Sequence, residues 1–162
     1  MIIERILRKN KIFLFFIISL LLTITSCNEV IVFEQKINFD KSQWHKDSLL
    51  VFTPEIVDTS KNYSFGVTVQ HGKHYEYSNL WLFILMENEN SSQIKDTVEM
   101  FVAEPDGKWI GKKRGDNFSV TAFYKYNVKL AEPSNLSFSF QQGMRSETLN
   151  DIRSFEFWVI EE

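Results

Sequence analysis

Tyr63-Ser64-Phe65-Gly66-Val67-Thr68-Val69-Gln70 alternates large apolar residues with small or polar ones. A period of two puts Tyr63, Phe65, Val67 and Val69 on one side of an extended chain, so this stretch predicts a strand with one buried face. His71-Gly72-Lys73-His74 breaks the pattern. Leu80-Trp81-Leu82-Phe83-Ile84-Leu85-Met86 then runs apolar without interruption. An apolar run of this length predicts a central strand covered on both sides, which makes Trp81 a core residue.

Outward from these two strands the same chemistry repeats. Residues 29–34, 94–102, 118–123, 124–128, 136–141 and 155–160 are rich in β-branched and aromatic side chains, which fit a pleated, half-buried surface. Residues 48–57 are apolar as well, and Pro54 suggests an edge position because it has no N–H to donate. Residues 35–47 form a polar loop pinned at Phe39 and Trp44. Turn chemistry falls at residues 58–62, 88–92 and 132–135, and most clearly at Glu104-Pro105-Asp106-Gly107, with Pro second and Gly fourth. Residues 112–117 make a basic loop tip, and residues 144–152 hold one helical turn. About eight short strands with turns every ten to fifteen residues predict an all-β fold, an antiparallel β-sandwich of jelly-roll type. A small closed barrel is the alternative.

The amino terminus has a different composition. Arg5, Arg8, Lys9 and Lys11 precede an apolar run over residues 12–22, and Thr23-Ile24-Thr25-Ser26-Cys27 follows. This is the layout of a secretory signal peptide, and its apolar run is shorter than the roughly 20 residues a spanning helix requires. Small residues directly before a lone cysteine match the bacterial lipoprotein signal. Residues 1–26 are therefore expected to be removed, leaving 27–162 as one domain anchored by acyl chains on Cys27. A single cysteine excludes an internal disulfide and any multi-cysteine metal site. Little tether separates Cys27 from the first strand, so the domain should sit close to the membrane, with the outer membrane as the expected location.

Without residues 1–26 the net charge changes from −3 to −6. That balance argues against nucleic acid, which requires basic stripes, and leaves membrane attachment to the lipid. Aromatic residues make up 15% of the chain, so most of them must serve the core.

Candidate chemistry is sparse. His71 and His74 with Glu76 are the best metal constellation, but an odd spacing sends the two histidines to opposite faces of a strand. A solvated loop is the plainer reading of that segment. Glu104, Asp106 and Asp116 could offer oxygens to calcium, although turn formation already accounts for Asp106. There is no Gly-x-Ser-x-Gly elbow, no glycine-rich phosphate loop and no distinctive carboxylate pair. No cofactor and no small-molecule substrate are expected. Trp44, Trp81, Trp109 and Trp158 could stack on sugars, but Trp81 and Trp158 lie in apolar runs and are assigned to the core. Trp109, beside a turn, is a candidate for contact with sugar or a protein partner. Lys112, Lys113 and Arg114 form the one dense cationic cluster, suited to a solvated loop tip or to an acidic partner. Gln142-Gly143-Met144-Arg145 predicts a sharp reversal with Gly143 at positive φ. Arg145 either anchors that reversal through carboxylates or carbonyls, or meets a partner.

Several segments together resemble a known family. They are residues 77–84 (Tyr-Ser-Asn-Leu-Trp-Leu-Phe-Ile), 96–99 (Asp-Thr-Val-Glu), 105–111 (Pro-Asp-Gly-Lys-Trp-Ile-Gly) and 142–145 (Gln-Gly-Met-Arg), followed by Leu149 and Ile152. Behind a matching lipoprotein signal they are similar, in order, to the GldH family of gliding-motility lipoproteins of Bacteroidota. The likeness spans roughly residues 28–161. Two places differ from the family pattern: residues 112–116 are more basic, and Phe155-Glu156-Phe157-Trp158 is more aromatic. The resemblance supplies no catalytic residues. It implies a non-enzymatic accessory of the gliding machinery and its associated secretion system, with envelope or gliding proteins as partners. A carbohydrate-binding surface lipoprotein is the second reading.

Overall fold

The computed structural model describes residues 30–88, 93–131 and 134–162. The signal segment, Cys27 and parts of the turns expected at 88–92 and 132–135 lie outside the described residues. The strands are β1 (Val30–Asn38), β2 (Gln43–His45), β3 (Leu50–Phe52), β4 (Glu55–Ile56), β5 (Asn62–Gly72), β6 (Asn79–Asn88), β7 (Gln93–Phe101), β8 (Lys112–Arg114), β9 (Asn117–Lys129), β10 (Ser134–Gln142), β11 (Thr148–Asn150) and β12 (Ile152–Glu161). A single 3-10 turn, Asp40–Ser42, joins β1 to β2.

Two antiparallel sheets face each other, as the sequence predicts. The first has the order β1-β12-β5-β9-β8; the second has the order β3-β10-β6-β7, with β4 also paired to β10. A small ladder of β11 with β2 closes one end. The strands outnumber the predicted eight because the segment around Pro54 splits into two short edge pieces and the polar loop at 35–47 contributes β2. Residues 118–123 and 124–128 run together as the single strand β9. Irregular register against β5 near Tyr63, Phe65 and Gly66 absorbs the change of pattern within it.

The core is aromatic. Phe65 of β5, Phe138 and Phe140 of β10, and Phe155 and Phe157 of β12 alternate along their strands and are fully buried between the sheets. Phe138 and Phe157 lie 4.6 Å apart, and Phe140 and Phe155 4.9 Å apart. Such offset and tilted pairs add to plain area burial. Trp44 stacks on Phe39 at 5.1 Å and donates its indole N–H to the Ser48 carbonyl, so the loop is pinned where expected. Residues 144–152 are extended and not helical: β11 pairs with β2 there, placing Leu149 opposite Trp44.

Trp158 is not in this core. It sits half-buried on the outer side of the first sheet, over Gly66, where a Cβ would come within 2.2 Å of the indole. Alternation decides this: Phe155, Phe157 and Val159 point inward, so Trp158 points out.

Candidate functional site

β6 lies between β10 and β7 and is central in pairing, yet among the described residues only one of its faces is covered. Leu80, Leu82 and Ile84 are buried, whereas Trp81 is 37% and Phe83 48% exposed. The expectation of a strand covered on both sides is therefore corrected, and with it the assignment of Trp81 to the core. An apolar run by itself does not reveal whether a second layer exists to cover its outer side.

The ladders bring other residues to this outer face. Val51, Ser139, Leu85 and Lys95 form one row across β3, β10, β6 and β7, and Gln141, Phe83 and Thr97 form the next. Val51 and the neighbouring Leu49 are 47% and 56% exposed. Two hollows flank Phe83. One, of about 470 Å³, is lined by Tyr77, Trp81, Phe83, Thr97, Met144 and Arg145, among others. The other, of about 320 Å³, is lined by Leu49, Phe83, Leu85, Lys95, Thr97 and Gln141, among others. Volumes of this order suit the recognition of side chains or small ligands.

The wall of the larger hollow comes from the reversal after β10. The Gly143 N–H donates to the Trp81 carbonyl at 2.7 Å, and the Gln142 carboxamide oxygen accepts from the Met144 N–H at 2.8 Å. Gly143 does not adopt positive φ, contrary to expectation. A Cβ there would lie 3.2 Å from the Phe83 ring, a tight contact. Arg145 pairs with no carboxylate or carbonyl among the described residues, so it does not anchor the turn. Its guanidinium stands at the hollow, exposed.

The other candidate residues lie elsewhere on the same end of the sandwich. Trp109 is half-buried and pairs with Ala103 in an isolated bridge, its ring 4.6 Å from that of His71. His71 is buried at the end of β5, between Trp109, Tyr75 and Phe118. The solvated-loop reading therefore fails for His71 and holds for His74, which is exposed. Burial pushes His71 below its ordinary pKa, and Nδ1 lies 2.9 Å from the Gly72 carbonyl. Lys112, Lys113 and Arg114 form the short edge strand β8 and not a loop tip. All three are exposed, and Lys113 lies over the Phe118 ring at 5.6 Å. Asp116 is held below the usual carboxylate range by Lys73, 3.0 Å away. Rings connect the two regions: Phe118, Trp109, His71, Tyr75 and Tyr77 form a chain of neighbours ending at the larger hollow.

No three His, Cys, Asp or Glu side chains converge as metal ligands among the described residues. Asp106 accepts from the Lys108 N–H at 3.0 Å, so its carboxylate serves the turn as expected. The sequence reading missed Tyr77, Trp81, Phe83 and Thr97 as surface features. The signal available was Trp81 and Phe83 at i and i+2, out of phase with Leu80, Leu82 and Ile84.

These features define an antiparallel β-sandwich with an aromatic, cation-flanked groove on one outer face. Residues 31–156 match the family model described as GldH lipoprotein, and the chain belongs to that family. It is 32% identical over 131 residues to "Gliding motility lipoprotein GldH homolog" of Christiangramia forsetii, covering 81% of this chain and 80% of that protein. It is likewise 32% identical over 104 residues to "Gliding motility lipoprotein GldH" of Flavobacterium johnsoniae, covering 64% of this chain and 65% of that protein. A chain from "Structure of infectious bursal disease virus Gx strain" aligns with 82% of this chain and 31% of its own length, at a TM-score of 0.28 and 10% identity. The groove draws on three of the segments that carry the family resemblance: 77–84, 96–99 and 142–145.

Proposed function

We propose that this chain is a lipid-anchored, non-enzymatic component of a gliding-motility apparatus, held at the outer membrane through acyl chains on Cys27 and acting by protein contact. The observation that carries the reading is family membership over residues 31–156 together with relatives named for gliding motility. The start of β1 at Val30 supports it, since only two residues separate Cys27 from a paired strand. Several acyl chains at about 0.8 kcal/mol per buried methylene make such an anchor stable. The candidate contact surfaces are the outer face of the second sheet with Arg145, and the end carrying Trp109, Lys112, Lys113 and Arg114.

Deletion of the gene followed by a colony-spreading assay, with crosslinking and pull-down from native membranes, tests this role. Loss of spreading with co-purification of envelope components is expected. Intact spreading would overturn the reading. Fractionation of a Cys27→Ala chain tests the anchor separately, with release from the membrane expected. A sugar-binding role is the second reading, favoured by the exposed aromatic pair Trp81 and Phe83 on a sheet face.

A further inference from the structure

We infer that the groove over β6 binds an extended acidic-apolar peptide segment of a partner protein, in which two carboxylates bracket apolar side chains. The inference rests on the proposed action by protein contact and names the chemistry of the partner.

The charges on this face carry the argument. Arg145 at the larger hollow and Lys95 at the smaller one are both exposed. Neither has an ion pair or side-chain hydrogen bond among the described residues. Asp96 is compensated by the Lys125 ammonium and also takes the Tyr124 hydroxyl. Glu99, across the ladder from Trp81, accepts from the Asn79 amide at 2.5 Å and keeps its charge. Arg145 and Lys95, free of ion pairs among the described residues and placed beside an aromatic ridge, are an electrostatic complement for carboxylates.

Spacing specifies the ligand further. Arg145 follows the Gly143–Trp81 hydrogen bond, and Lys95 pairs with Leu85 in the ladder. Trp81 and Leu85 are four residues apart on one strand, about 13 Å at the usual rise. An extended ligand chain spans the same distance in about four residues, so carboxylates at i and i+4 reach the two cations. The apolar side chain at i+2, the one between them on the same face of an extended ligand, meets Phe83, which is shared by both hollows.

The test is selection of a phage-displayed library of random decapeptides on the purified full chain in detergent. Lys95→Glu/Arg145→Glu, Phe83→Ser and Lys36→Glu/Lys41→Glu variants serve as comparisons, each checked for native circular dichroism; Lys36 and Lys41 are exposed on the β1 side of the sandwich. The expected result is enrichment of peptides with Asp or Glu four positions apart around apolar residues. Retention should fall at least tenfold on the Lys95→Glu/Arg145→Glu and Phe83→Ser chains and hold on Lys36→Glu/Lys41→Glu. Absence of enrichment, enrichment without acids, or indifference to charge reversal at 95 and 145 would overturn the inference. So would neutral oligosaccharides competing for the groove, or self-association abolished by Phe83→Ser. Peptide selection with intact spreading in the deletion strain removes the motility role and leaves the groove assignment standing. Lost spreading without peptide selection does the reverse.

Discussion

Tyr124 of β9 donates its phenolic hydrogen to the carboxylate of Asp96 on β7, joining the two sheets at their open edges. Lys125 approaches the same oxygen at 3.2 Å. The hydroxyl first, and then Lys125, hold Asp96 below the usual carboxylate range. A depressed folded-state pKa means that the unfolded chain binds more protons in acid. The contribution is therefore complete above the ordinary value of 3.8 and is lost as pH falls through the lower folded value.

Tyr124→Phe removes the donor and leaves the ring. It should cost about 1 kcal/mol at neutral pH, and the cost should shrink below about pH 4 as Asp96 protonates in both chains. Urea unfolding of the two chains across pH 3–7 measures this. A cost that persists undiminished at pH 3 would refute the linkage.

Gly66 has no Cβ because the Trp158 indole occupies that space. Gly66→Ala forces the ring off the sheet and should destabilise by about 1–3 kcal/mol, the usual range for overpacking. Trp158 now lies against Phe123 at 4.8 Å and donates to Thr68 at 3.2 Å, so the displaced ring loses both contacts. Trp158→Leu in the same chain should recover part of the loss. A double-mutant cycle reads the coupling, and additivity within about 0.3 kcal/mol would contradict the contact.

His71 is buried with Nε2 unpartnered, so its neutral form is favoured in the fold. The unfolded chain then takes up the proton first as pH falls below the ordinary value of 6.5, and stability declines from there until the lower folded value is reached. Replacement by Phe keeps a ring among Tyr75, Trp109 and Phe118 and removes the titration. His71→Phe should flatten the stability profile below pH 6.5, followed by thermal unfolding in a buffer series.

Trp81→Ser and Phe83→Ser alter the outer face of β6 and leave Leu80, Leu82 and Ile84 buried. Each should change stability by less than about 1 kcal/mol. Phe157→Ala, by contrast, opens the core and should cost about 3–5 kcal/mol. Chemical denaturation separates the cases, and a large loss at Phe83 would show that the face is structural.

Much of the fold follows from local chemistry. The alternation at 63–70, the Pro-Asp-Gly turn and the aromatic repeats at 136–141 and 155–160 each fix a local period, and the period alone sets which residues share a face. What failed was the assignment of faces. Trp81 and Trp158 belong to apolar stretches, yet both lie outside the core, and His71 sits in a polar stretch yet lies inside it. Gly143 was read as needing positive φ and does not adopt it.

The linear chain by itself determined the β class and the inward residues of β5, because propensity and period act over a few neighbouring residues. Tertiary structure alone decided that the outer face of β6 would have no covering layer among the described residues, and that Arg145 and Lys95 would flank one groove. Those outcomes depend on which strands pair and in what register, and pairing joins residues tens of positions apart whose spacing no local pattern encodes.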